Sequence, residues 1–121
     1  MSPATVVAIG LLGGVGAVAR FVVDGSFANR GRSGFPLGTL AVNLSGALAL
    51  GLVVGAGFSS DALRLVGTGL IGAYTTFSTW AFESHRLGED GQARLGALNF
   101  LLSLVLGIGT AWLGRRLGAA L

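Results

Sequence analysis

Four apolar runs, each close to the roughly 20 residues that cover a hydrocarbon core of about 30 Å, account for most of this chain. They fall at about 4–23, 36–58, 63–82 and 95–113. In lipid every backbone N–H and C=O must be satisfied within the protein, so runs of this length and composition predict helices. Only 11% of the 121 residues are charged, against about a quarter in soluble domains, and 52% are hydrophobic. The 22 glycines suit close approach of helices in a membrane. The separators carry the charges and breakers. Residues 24–34 include Asn29, Arg30, Gly31 and Arg32, and Ser59-Ser60-Asp61 is a short turn with Asp61 as expected N-cap. Residues 84–94 hold His85, Arg86, Glu89, Asp90 and Arg94. None of these linkers can hold a soluble domain. Residues 1–121 are therefore expected to form one all-α, four-helix, multi-pass unit of the cytoplasmic membrane. Met1-Ser2-Pro3-Ala4 has no basic leader, so the first run is expected to be a retained span.

Several function classes drop out on residue supply. There is no cysteine, and one His with five acids is little material for an acid/base or metal-dependent active site, so the chain is not expected to be an enzyme. The eight Arg are scattered, which suits anchoring at lipid headgroups and not nucleic-acid binding. They are also nearly balanced across the membrane. Arg64, Arg115 and Arg116 share one side, and Arg30, Arg32, Arg86 and Arg94 share the other. That balance gives no positive-inside bias. Either something else fixes a single orientation, or the chain inserts both ways and pairs antiparallel with itself. Small-residue patterns support assembly without naming the partner: Gly10-x3-Gly14, Gly13-x3-Ala17, Gly51-x3-Gly55, Gly38 with Gly46, and Gly107 with Gly109.

The third run is unlike the others. Gly69-Leu70-Ile71-Gly72-Ala73-Tyr74-Thr75-Thr76-Phe77-Ser78-Thr79-Trp80-Ala81-Phe82-Glu83 writes glycines, hydroxyls and a carboxylate into a span. Gly72 followed by Thr75-Thr76 invites a break, because Gly weakens a helix and Thr hydroxyls compete for its backbone bonds. Carbonyls released there, if buried in protein, can hold a cation. Helical spacing puts Phe77 and Trp80 on one face, and Thr76, Thr79 and Glu83 on another. On the second run Asn43 offers two donors and one acceptor, either to a neighbouring helix or to an ion. Ser45 has its own helix backbone within reach. Arg20 closes the first run and either snorkels to the headgroups or forms a cationic vestibule. Asn99, Ser103 and Thr110 dot the fourth run and say little alone.

Taken together these residues resemble the Fluc (CrcB) family of fluoride channels. The matching pieces are Gly13-Gly14-x-Gly16-Ala17-x-x-Arg20-Phe21, Gly38-Thr39-Leu40-x-Val42-Asn43-x-x-Gly46, and Gly69-x-x-Gly72-x-x-Thr75-Thr76-Phe77-Ser78-Thr79-x-x-x-Glu83. Ser103-x-x-x-Gly107 fits more loosely. The resemblance implies an antiparallel, dual-topology homodimer that exports fluoride passively along two pathways, with a central structural sodium ion. By it, Gly72 and Thr75 offer backbone carbonyls to sodium, Asn43 donates to fluoride, and Phe77 lines the path with its ring edge. Ser78 and Thr79 supply hydroxyls, and Arg20 sits at the vestibule. Two positions depart from the family pattern: Trp80 replaces a second pore Phe, and Phe100 falls where a tyrosine is common. Either departure also suits a subunit that works in a heterodimer with a paralogue.

The physics agrees with that implication. Fluoride is small and strongly hydrated, so a path must replace its water with amide, hydroxyl and aromatic-edge donors, none of them holding it too tightly. A proton-coupled drug exporter of similar size needs a carboxylate within its first span, and here Asp24 falls at the end of that run. A non-transporting assembly protein has no reason to gather Asn, Thr, Ser and Gly on two helices.

Overall fold

The computed structural model describes residues 1–27 and 34–121, so Asn29, Arg30, Gly31 and Arg32 of the first linker lie outside the described residues. The elements run in the order α1 (Pro3–Ser26), α2 (Leu37–Gly55), α3 (Ser60–Ala62), a π-helical stretch (Leu63–Ile71), α4 (Gly72–Tyr74), α5 (Ser78–Glu89) and α6 (Ala93–Ala119). α1, α2 and α6 are each long and apolar enough to cross a membrane. The third apolar run is not one such helix. It is divided between the 60–74 stretch and α5, with Thr75 extended at φ −80°, ψ 162° between them.

Local chemistry sets the ends. Ser2 caps α1, accepting from Thr5 N–H at 3.1 Å, and Pro3 occupies the first turn, where a missing N–H costs nothing. The expected cap Asp61 is displaced by Ser59, whose Oγ accepts from Ala62 N–H at 3.3 Å; Asp61 instead lies in the first turn and pairs with Arg64 at 3.1 Å. An acid there still faces the positive end of the helix dipole. α2 stops at Gly57, whose φ of +75° lets Phe58 N–H reach back to Val53 O. Gly91 does the same after α5, where Gln92 N–H bonds Leu87 O at 2.8 Å.

Glycines decide which helices touch. On α2 and α6, Gly51 and Gly55 interlock with Gly114 and Gly118. A Cβ on any of the four would collide with backbone of the facing helix: Ala111 O, Arg115 O, Leu48 O and Leu52 O respectively. α1 lies on the π-helical stretch and α4 through Gly16, whose missing Cβ makes room for Leu70 O and Tyr74 N. The expected pattern Gly13-x3-Ala17 thus contributes Gly13, where an added Cβ would lie 3.8 Å from Gly69 O, with Gly16 as the closest approach. Gly10, Gly14, Gly107 and Gly109 have no such neighbour within 4 Å.

The interior is small and partly polar. Val42, Val53, Ile71 and Leu87 are buried together with Thr39 and Asn99. Most large apolar side chains, Leu11, Phe21, Val105 and Ile108 among them, face outward. That distribution fits a lipid environment, where no hydrophobic force drives such groups inward.

Candidate functional site

Three residues of α2 meet the chain from the end of α4 into the segment before α5. Asn43 pairs with the peptide of Thr76 in both directions: its Nδ2 donates to Thr76 O at 2.9 Å and its Oδ1 accepts from Thr76 N–H at 2.8 Å. Ser45 Oγ lies 2.8 Å from the Tyr74 hydroxyl while also bonding Ala41 O on its own helix at 2.7 Å. Gly46 leaves space that the Thr75 methyl group fills. Residues 74, 75 and 76 are each held by one of residues 45, 46 and 43.

This bracing changes where backbone groups are paired. In an uninterrupted α-helix, Thr76 N–H would bond Gly72 O and Thr79 N–H would bond Thr75 O. Instead Asn43 Oδ1 takes the first amide, and Thr76 Oγ1 takes the second at 3.2 Å. The carbonyls of Gly72 and Thr75 thus do not receive the amides that a continuous helix would supply. Thr75 N–H and Oγ1 both turn back to Ile71 O, at 3.0 and 3.2 Å.

Two cavities flank the segment and share Thr76. One, of about 220 Å³, is lined by Arg20, Asp24, Thr39, Thr76 and Thr79 with the apolar walls of α1 and α2. The other, of about 330 Å³ and more open, is lined by Asn43, Gly72, Thr75, Phe77 and Trp80 among others. The expected site residues therefore divide into two groups. Arg20 and Thr79 border the first cavity; Asn43, Phe77, Trp80, Gly72 and Thr75 border the second. Ser78 borders neither and is exposed, with its Oγ 3.4 Å from Thr76 Oγ1.

The donors and rings have definite orientations. Asn43 spends one Nδ2 hydrogen and its oxygen on Thr76, leaving a second N–H for another acceptor. Phe77 is 72% exposed and meets Trp80 edge to face, with ring centroids 5.3 Å apart. Hydroxyl, amide and ring-edge donors suit an anion, and carbonyls without helical amides suit a cation.

Other polar contacts were not read from the sequence. Buried Thr39 donates through Oγ1 to Glu83 Oε1, joining α2 to α5. Ser84 Oγ donates to Trp80 O at 2.9 Å, and Asn99 Nδ2 donates to Ser84 Oγ at 2.8 Å. A sequence signal existed for the second set: Trp80 and Ser84 are four apart, as are Asn99 and Ser103, so both pairs lie along single helix faces.

Comparison with known proteins identifies the family. The family described as CrcB-like protein, Camphor Resistance (CrcB) matches residues 7–115. The "Fluoride-specific ion channel FluC 2" of Mycolicibacterium paratuberculosis is 53% identical over 111 residues, covering 92% of this chain and 91% of that protein. The "Fluoride-specific ion channel FluC 1" of Leifsonia xyli is 43% identical over 122 residues, covering 98% and 89%. In Haloarcula marismortui a "Fluoride-specific ion channel FluC 2" is 45% identical over 107 residues, covering 86% and 87%.

Proposed function

The chain belongs to the CrcB family of fluoride channels, and from that premise we propose that it forms a passive, fluoride-selective channel that exports fluoride across the cell membrane. The observation that carries the site assignment is the diversion of amides around Thr76. One bracket, Asn43, holds the interruption between α4 and α5 and still offers an N–H toward the second cavity.

In this reading Arg20 gathers anions at the first cavity, and Thr79 with Ser78 replaces part of the lost hydration. Asn43 and the edge of Phe77 carry the ion past Thr76. Each group is a neutral donor apart from Arg20, so no single position binds fluoride too tightly for it to leave. Two chains pair antiparallel, each contributing an interruption. The carbonyls of Gly72 and Thr75 fit a hard monovalent cation, because each has lost its helical amide to a side chain. A sodium ion bound there would supply positive potential and tie the two interruptions together. Relatives numbered FluC 1 and FluC 2 keep a heterodimer with a paralogue beside the homodimer.

The test is efflux from liposomes loaded with potassium fluoride and holding the purified chain alone. Valinomycin should release fluoride, and chloride should stay inside control liposomes loaded with potassium chloride. Equal chloride release, or fluoride release only under a proton gradient, overturns the channel assignment. Release from liposomes holding this chain alone decides for the homodimer.

A further inference from the structure

Trp80 is gripped by α6 on two sides. Its indole stacks flat on Phe100, with centroids 4.6 Å apart and planes 12° from parallel, and its Nε1–H points to Asn99 O at 3.4 Å. Behind it runs a polar ladder: Ser103 Oγ to Asn99 Oδ1 at 3.4 Å, Asn99 Nδ2 to Ser84 Oγ at 2.8 Å, and Ser84 Oγ to Trp80 O at 2.9 Å. Asn99 is 1% exposed, and its side-chain amide donates to Ser84 and accepts from Ser103 within this ladder. A buried amide in an apolar bundle is costly unless it is paired; here Asn99 Nδ2 to Ser84 Oγ and Trp80 Nε1 to the Asn99 main-chain O tie α5 to α6, while the Ser84 and Ser103 hydroxyls bond within their own helices.

We infer that Asn99 and Phe100 are positioning residues for the ion path: they turn the Trp80 indole N–H away from the groove and fix the ring as a backstop for Phe77. The inference rests on the fluoride-channel reading for its functional part. An indole N–H is a stronger donor than an aromatic C–H edge. Left free beside Phe77, it would offer an anion a deeper resting place and slow its departure. Turned toward the Asn99 main-chain O, it leaves Trp80 meeting Phe77 through a T-shaped ring contact, and Phe77, 72% exposed, remains the ring open to the groove. Trp80 is thus compatible with conduction because of α6.

The experiment uses full-length protein in which Trp112→Phe leaves Trp80 as the sole tryptophan. Asn99→Leu, nearly isosteric, keeps the main-chain carbonyl that accepts from the indole but removes the side-chain ladder that holds this carbonyl against α5; Phe100→Leu, at a half-exposed position, removes the stack and serves if the first variant fails to fold. Each should lower Trp80 fluorescence anisotropy and raise its quenching by acrylamide at least twofold. Each should also cut fluoride efflux about tenfold. In a Trp80→Phe background, which has no indole N–H to hold, Asn99→Leu should change efflux less than twofold. Equal losses in both backgrounds, or unchanged Trp80 fluorescence in a folded variant, overturn the positioning role. A parent protein that shows the fluorescence changes but conducts no fluoride refutes the channel reading and the pathway part of the inference, while the grip on Trp80 stands.

Discussion

Replacing Asn43 by Asp tests the bracket directly, because the substitution keeps the shape and reverses one hydrogen bond. An Asp carboxylate still accepts from Thr76 N–H, as Asn43 Oδ1 does at 2.8 Å. Its other oxygen takes the place of Nδ2, which now donates to Thr76 O at 2.9 Å, so two acceptors face each other. Losing the bond costs about 0.5–1.5 kcal/mol, and leaving a partly buried carbonyl against an unmatched oxygen adds about 1–3 kcal/mol. The sum, about 1.5–4.5 kcal/mol against the bracketed geometry, corresponds to roughly a 10- to 2,000-fold loss of the conducting arrangement. The added negative charge on an anion path acts in the same direction. Fluoride efflux from liposomes should fall within or beyond that range, while size-exclusion behaviour in detergent stays that of the parent. Efflux within threefold of the parent in a well-folded variant would refute both the bracket and the donor role of Asn43.

Three further outcomes follow from packing and orientation. Gly114→Ala puts a methyl group on Leu48 O of α2, backbone that cannot swing aside, and should lower the thermal stability of the detergent-solubilised protein by about 1–3 kcal/mol; Gly88→Ala, open within 4 Å and inside α5, should raise it slightly through helix propensity. Gly46→Ala drives a methyl into Thr75, whose hydroxyl is tied to Ile71 O, and should lower efflux about tenfold with the fold retained, as judged by circular dichroism. Adding two Arg at the C-terminus should bias insertion to one orientation and lower fluoride resistance in cells, and co-expressing an oppositely biased variant should restore it; full activity with all copies facing one way would sink the antiparallel pairing.

Much of the class was legible locally. Run length and the scarcity of charge are properties of consecutive residues, so the sequence by itself determined a helical membrane protein and marked the Gly- and Thr-rich third run as the unusual one. Helix ends were less legible: α1 continues to Ser26, α6 covers Ala93–Ala119, and the cap before residue 60 is Ser59 in place of Asp61. Ends depend on which nearby oxygen reaches the free amides first, and Ser59 and Asp61 are both competent.

Partner choice belonged to the tertiary structure. Gly10-x3-Gly14 and Gly51-x3-Gly55 look alike as strings, yet among the described residues only the second meets a facing helix, at Gly114 and Gly118. A small residue permits close approach without specifying to what. Asn43 could be read as a polar group needing a partner, but Thr76 lies 33 residues away and no spacing rule connects them. The same holds for Trp80: its type promised an N–H donor beside the path, and only the packing of α6 turned that donor to Asn99 O. Hydrophobic length and helix tendency are sums over neighbours in sequence, whereas the direction of a hydrogen bond is fixed by whichever acceptor the assembled helices bring within 3 Å or so.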